Sequence, residues 1–505
     1  MADAAPRIRT ILIAGGGVEG WLTAAVLARA LPASRSAIRV IDLPPDEGPE
    51  QMSGGQASLP ALRGLHAQIG LDESLLFQKA AATVSLGADL LDWSRIGARY
   101  FHPFGDFGAP LDGVAFHNYW LRLRDQGETA PFEDYALAAA AARLGRFTPP
   151  SHDPDSILST FTYAYHWDAA AYVGLLRAQA ERLGVERIEG EAAQVRFGER
   201  DGFIEAVVLA DGRTLQADLY IDASGPRATL MGANPGDGFE DWREWLACDR
   251  VMTARGADAS MDAPCTVMRA HAAGWTWRMP LQDGAGHGVV WSSAHMDEGE
   301  AERILTEALG GRPGEVRTAS FTSGRRVRPW IGNCVAIGSS ACVLPPAAPT
   351  ALQLVQSGVW TLLDLFPDRD FHVVERDEYN RIMIETMERM RDFVILRFSA
   401  ATRTDSPFWA HSAAMEVPEF LAYRTRLFEA RGRLLLRGES VFGESDWSAI
   451  HLGQERLPRA YEPLADTLPD DRARTQLAAM RRAVRAAAES MPPHSAFIER
   501  RRSGG

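Results

Sequence analysis

Arg9-Thr10-Ile11-Leu12-Ile13-Ala14-Gly15-Gly16-Gly17-Val18-Glu19-Gly20-Trp21, running into Leu22-Thr23-Ala24-Ala25-Val26-Leu27-Ala28, lies near the start of the chain. A short apolar run, glycines at GxGxxG spacing and then a small-residue helical pattern predict a strand, a tight turn and a helix whose amides can hold a pyrophosphate. Each glycine has its own mechanical job: Gly15 permits the turn, Gly17 lets the backbone approach the phosphates, and Gly20 lets helix and strand pack closely. The next strand-like run, Ala37-Ile38-Arg39-Val40-Ile41-Asp42, ends in an acid at the distance expected for an adenosine ribose. The plainer alternative is a glycine-rich βαβ turn that holds no ligand.

Working outward, 505 residues suffice for a substantial core and two or more modules. The formal charge is −13, from 53 basic against 66 acidic residues, and the one basic block is Arg500-Arg501-Arg502. Neither nucleic acid nor an anionic membrane is therefore an expected partner. Cys248, Cys265, Cys334 and Cys342 are scattered, without metal-ligand spacing, and read as reduced thiols of a cytoplasmic protein with no metal site. The apolar run before Gly15 is too short for a signal peptide, and no later run is long enough to span a bilayer. Lys79 is the only lysine.

After Asp42 come a proline and glycine loop, Leu43 to Pro49, and a second glycine loop, Ser53-Gly54-Gly55-Gln56-Ala57-Ser58, ahead of a helical pattern from Ala61. This second loop is either a mere connector or, beside a dinucleotide site, a cofactor strap. Tyr100 to Gly105 and His117 to Trp120 form aromatic, histidine-bearing stretches that suit either a core or a substrate platform. Alternating runs around residues 193–197 and 204–208 predict hairpin strands. They feed Leu219-Tyr220-Ile221-Asp222-Ala223-Ser224-Gly225, a second strand ending at the site, and Asn333-Cys334-Val335-Ala336-Ile337-Gly338 gives a third. A dinucleotide-facing strand that returns after a long insertion suits FAD, with Asp222, Gly225 and Gly338 at the strand ends. From Ala351 onward the spacing is mostly helical. The expected fold is α/β: a doubly wound, glutathione-reductase-like FAD-binding core with an antiparallel substrate sheet over residues 1–350 and a helical cap over 351–505.

Gly274-Trp275-Thr276-Trp277-Arg278-Met279-Pro280 resembles the GWxWxIP motif of flavin-dependent tryptophan halogenases, as does Gly15 to Trp21. The likeness continues through His102-Pro103-Phe104-Gly105, Asp222 to Gly225, Asn333 to Gly338, Gln356-Ser357 and Asp392-Phe393, nearly the whole chain. The resemblance implies that reduced FAD and oxygen turn chloride or bromide into an oxidised halogen, which passes a tunnel walled by Trp275, Trp277 and Pro280. It implies a lysine and a glutamate that direct the halogen at an aromatic substrate. It also implies a halide held by Thr350 and Ala351, a ring sandwiched by His102 and Phe104, a separate flavin reductase, and a homodimer.

Both charged partners depart from that pattern, and the family strap motif Gly-Glu-Ala-Thr reads Gly55-Gln56-Ala57-Ser58, without its acid. The resemblance implies Gln56, Ala57 and Ser58 as the strap's contacts with the cofactor. The family lysine lies in Thr-x-Lys-Leu-Gly, which here reads Thr83-Val84-Ser85-Leu86-Gly87, and the family glutamate falls on Ala348 in Pro345-Pro346-Ala347-Ala348-Pro349-Thr350. Ser85 and Ala348 offer neither the charge nor the amine, and Lys79 is six residues too early. Three readings follow: an FAD-dependent oxidoreductase of halogenase or monooxygenase type, a non-catalytic flavin-binding protein used in sensing or assembly, and true halogenation through Lys79.

Overall fold

The computed structural model describes residues 7–32, 34–43, 55–199, 202–436 and 441–503. The proline and glycine loop from Pro44 to Pro49, together with Ser53 and Gly54, lies outside the described residues. The chain divides into two interleaved units, one of residues 1–81, 167–251 and 317–389, the other of 82–166, 252–316 and 390–505. The expected boundary at residue 350 falls inside the first unit. The chain enters and leaves each unit repeatedly, so no single cut in the sequence separates them.

The first unit is built on a six-stranded sheet in the order Trp330–Ile331, Cys334–Ala336, Leu219–Asp222, Thr10–Ala14, Ala37–Asp42, Glu186–Glu189. The five strands from Cys334–Ala336 to Glu186–Glu189 run parallel, and the edge pair Trp330–Ile331 with Cys334–Ala336 is antiparallel. Ile11, Leu12, Ile13, Val40, Leu219, Tyr220 and Ile221 are wholly buried, as strands covered on both faces require. Register aligns Ala14 with Ile41 and Asp222, and Asp222 with Ala336, so four strands deliver their carboxyl ends to one rim. In open parallel sheets that rim is where ligands bind. The predicted hairpin strands are present as Ala192–Phe197, Ile204–Leu209 and Thr214–Leu215.

The second unit carries a sheet whose strands Gly284–Trp291, Gly274–Leu281 and Thr266–His271 pair antiparallel. Gly87–Leu91 and Arg99–Pro103 continue it, also antiparallel to each other, but Thr266–His271 pairs parallel with Gly87–Leu91. The sheet is therefore mixed, not wholly antiparallel as expected, because the chain reaches that strand by a long connection and not by a hairpin. The helices predicted after residue 351 are present as Ala351–Asp364, Val373–Ser399, Pro407–Ala414, Glu419–Arg431, Glu444–Gly453, Asp470–Ser490 and His494–Arg502. Among the described residues no helix is long and apolar enough to cross a membrane.

Candidate functional site

At the rim of the parallel sheet Gly15 turns the chain with φ +145°, its N–H donating to the Ile41 carbonyl at 3.1 Å. Gly17 then caps the helix Val18–Ala30, and no side chain caps that end. An uncapped helix start aimed at a tight turn is a place for phosphate oxygens. Asp42, at the end of its strand, receives Arg187 Nε on Oδ2 at 2.6 Å. Its Oδ1 lies close over the turn, where a Cβ on Gly16 would come within 2.2 Å of it. The acid thus stands beside the glycine turn, as a ribose partner should.

Gln56 is buried, its Oε1 accepting the Trp167 indole N–H at 3.2 Å, while its Nε2 is buried without a hydrogen-bond partner. A buried amide donor left unmatched costs about 1–3 kcal/mol, so a ligand acceptor here would stabilise the strap. Ala57 lies beside it in the short strand Gln56–Ala57, and Ser58 is buried just after.

Two acids at this rim do something the sequence did not show. Glu19, a variable position of the glycine motif, is buried in the first helical turn. Its carboxylate accepts the Ser339 N–H at 3.0 Å and the Ser339 hydroxyl at 2.8 Å, tying the first helix to the 3₁₀ turn Gly338–Ser340. Asp222 is fully buried; Oδ1 accepts Ser224 N–H at 3.1 Å, Ser224 Oγ at 2.6 Å and Ser340 Oγ at 3.1 Å, and Oδ2 accepts Leu230 and Met231 N–H, each at 2.7 Å. Its carboxylate is therefore occupied inside the protein and shapes the loop around Gly225, whose N–H donates to Ser340 Oγ at 3.1 Å. Asp222→Asn turns an acceptor into a donor facing donors, and should lower the unfolding free energy by about 3 kcal/mol, measured by urea titration.

Thr350 and Ala351 are the residues the sequence resemblance offers for a halide. Thr350 donates its N–H to the Ala348 carbonyl at 2.8 Å, and Ala347 donates to Pro345 at 2.7 Å. The proline-rich segment folds into successive tight turns, and Pro349 has no N–H to offer. Thr350 N–H is thus occupied within the chain. Ala351 begins the helix that follows.

In the second unit Ser85 ends the strand Thr83–Ser85, buried, with its hydroxyl 3.4 Å from the Gly87 carbonyl. On the same face the Thr83 hydroxyl donates to the Pro280 carbonyl at 2.7 Å, and the cross-strand partner His166 places Nε2 2.9 Å from the Thr266 hydroxyl. Burial lowers the His166 pKa to about 3, so its imidazole is neutral at physiological pH. Trp275 is enclosed by Trp93 and Phe398, with ring centroids 5.7 and 5.5 Å away. Trp277 lies flat over Gly288 on the neighbouring strand, where a Cβ would come within 2.1 Å of its ring.

His102 is buried and its ring edge meets Phe393 at 5.9 Å. Nδ1 accepts from Arg397 Nη2 at 3.0 Å, which leaves the ring proton on Nε2, 2.9 Å from Asp446 Oδ1. Burial lowers its pKa, the Asp446 hydrogen bond opposing and Arg397 assisting. Phe104, half-buried, follows that strand. Lys79, the last residue of the helix Glu73–Lys79, is exposed.

Comparison with known proteins fits this arrangement. The tryptophan halogenase family model matches residues 10–470. The chain belongs to that family. A tryptophan 6-halogenase of Streptomyces albogriseolus is 29% identical over 446 residues, 84% of this chain and 82% of that relative. Among solved structures, a flavin-dependent halogenase from Brevundimonas sp. BAL3 shares 38% identity with a TM-score of 0.92, covering 98% of this chain and 99% of the other. One from Xanthomonas campestris shares 36% identity, again with a TM-score of 0.92, covering 98% of both.

The four cysteines are buried and form no disulfide, and burial holds the Cys248 and Cys334 thiols well up and pushes Cys265 to about 12. Those three thiols are inert packing residues at neutral pH. The structure also gathers Asp368, Asp370 and His372, a half-exposed to exposed group in which Asp368 accepts the Asp370 N–H at 2.9 Å. That is a turn closed by its own carboxylate.

Buried neutral histidines give the fold an acid limit. Burial takes His66 and His166 to about 3 and His494 to about 4. Imidazoles of the unfolded chain take up protons below about 6.5, so in that window the unfolded state binds more protons. Stability is full above about 6.5 and falls on acidification by ~1.4 kcal/mol per pH unit per histidine. Urea unfolding at pH 7 and pH 5 should show the loss, and a flat profile would contradict it.

Proposed function

We propose that this chain is an FAD-dependent oxidoreductase that uses reduced flavin and oxygen on an aromatic small molecule, and that it does not direct halogen through a lysine. FAD is the cofactor that family membership brings, and the rim of the parallel sheet fits it. Residues 15–17 and the uncapped helix start would take the pyrophosphate, Asp42 a ribose, and the unmatched Gln56 amide an acceptor on the ligand. Bound and reduced, the flavin supplies the two electrons with which oxygen is activated. Absence of a second nucleotide motif favours a separate reductase as the source of reduced flavin.

The observation that carries the second half of the proposal is the setting of Ser85. Its strand face presents hydroxyls and a neutral imidazole, and the chain's single lysine is an exposed helix-end residue. Trp275 and Trp277 serve as packing and wall, since indole has no accessible acid or base function. His102 would meet the substrate ring as a neutral imidazole whose tautomer is set by Arg397 and Asp446.

Stopped-flow mixing of the reduced holoprotein with oxygen tests the proposal. Multiphasic reoxidation whose slow phase responds to added arenes is the expected result. Single-phase reoxidation that releases all oxidising equivalents as hydrogen peroxide, with no response to any arene, would instead support a flavin-binding protein without catalysis.

A further inference from the structure

Arg397 is a buried charge in the second unit that the proposed chemistry leaves unexplained. Only 3% of the residue is exposed. Nη2 donates to His102 at 3.0 Å, whereas Nε and Nη1 are buried and have no hydrogen-bond partner. A guanidinium keeps its proton throughout the working pH range, and a buried charge without a partner costs several kcal/mol. The carboxylate nearest in the network, Asp446, stands on the far side of the His102 ring. There Oδ1 takes the imidazole proton and Oδ2 accepts the Gly443 N–H at 2.7 Å.

The other groups around Arg397 are also rich in donors. Tyr100, two residues before His102 on the same strand face, accepts from Gln454 Nε2 at 3.4 Å and keeps its own proton to give. Burial raises its pKa to about 12, so it remains a phenol. Gln454 Nε2 also donates to the Arg397 carbonyl at 2.9 Å, and Gln454 Oε1 is the one unmatched acceptor here. Even with the Tyr100 proton turned to that oxygen, two guanidinium nitrogens, Nε and Nη1 with three N–H bonds between them, stay unmatched. Surplus donors around a fixed positive charge are the composition of an anion receptor. Beside it lies a flat apolar wall: Arg397 Cζ sits 5.7 Å from the Phe393 ring centroid, and Phe393 stacks on Phe442 at 3.6 Å.

We infer that Arg397, with His102 and Tyr100 beside it, receives the negative group of an aromatic acid, a carboxylate or an ionised phenol, and so sets the substrate class of this protein. The inference rests on the proposed function for its choice of an aromatic carrier. Arg397 binds; it takes no part in bond-making.

Calorimetric binding to the full-length, flavin-loaded protein tests it with matched pairs. Indole-3-carboxylate is compared with indole-3-carboxamide, and 4-nitrophenolate with nitrobenzene, at low salt. The charged member of at least one pair is expected to bind about tenfold tighter or more, and the pair that discriminates identifies the anionic group. Arg397→Met should erase the preference while the neutral ligand still binds, and Arg397→Lys should keep part of it. Retained flavin absorbance and near-ultraviolet circular dichroism report folding of the variants, and the wild-type comparison needs no variant. Equal affinity within both pairs overturns the inference, as does a preference that survives in Arg397→Met. Saturable bromide binding lost in Arg397→Met, without preference among arenes, overturns it in favour of a bare halide. Binding is read without turnover, so acid preference in a protein that forms no product would sink the proposed function and leave the receptor standing.

Discussion

Gly20→Ala will strip the protein of its flavin. A Cβ at Gly20 would lie 2.0 Å from the Gly15 carbonyl oxygen and 2.8 Å from its carbon, both backbone atoms that cannot swing aside. The helix Val18–Ala30 would have to lift off the turn it caps, moving its amide end away from the position a pyrophosphate would take. Overpacking of this kind costs about 1–3 kcal/mol or more, and displacing the phosphate cradle should weaken FAD binding by about 10² or more, since several hydrogen bonds to charged oxygens are lost together. Flavin fluorescence titration of the apoprotein measures it. Gly64→Ala is the control: this helical glycine, within Ala61–Ile69, has nothing within 4 Å of a built Cβ. Alanine there should be neutral or stabilising by about 0.5–1 kcal/mol. Unchanged flavin affinity in Gly20→Ala would mean that the glycine turn is not the cofactor site.

The glycine turn was legible because its demands are local: a strand, a turn and a helix within a dozen residues constrain one another whatever the rest of the chain does. The helices after residue 351 were legible for the same reason, through periodicity. Glu19 was not, because its partner Ser339 is 320 residues away and a variable position inside a motif carries no mark of a distant hydrogen bond. Asp222 shows the other limit. Its place at a strand end could be read, but the direction of its carboxylate depends on how the chain loops back through Leu230 and Met231. Arg397 was invisible, since one arginine in the 27-residue helix Val373–Ser399 reads as a solvated face until packing closes over it. Tyr100 to Gly105 stayed open between core and platform because a strand has two faces. Phe101 gives its N–H to Glu133 at 2.9 Å, while His102 meets Arg397.

The second large effect concerns the halogen. With reduced flavin, oxygen, bromide and excess indole, this protein should form bromoindole at no more than about 10⁻²–10⁻³ of its flavin turnover, the loss typical of removing one preorganised electrostatic contact. Three features lead there. Ser85, where the sequence resemblance leads one to expect the lysine, is a buried hydroxyl 3.4 Å from the Gly87 carbonyl, which bears no charge and forms no haloamine. The imidazole on the same strand face is His166, neutral because burial takes it to about 3 and already engaged with Thr266 at 2.9 Å. Ala348, where the sequence resemblance leads one to expect the glutamate, has no acid to offer, and its carbonyl accepts the Thr350 N–H. Lys79→Ala tests the remaining route, and because that side chain is exposed at a helix end the variant should fold and give the same trace of product. Bromoindole accumulating in step with flavin oxidation would show that Ser85 and its neighbours suffice, and a product lost in Lys79→Ala would place the lysine at the reacting ring.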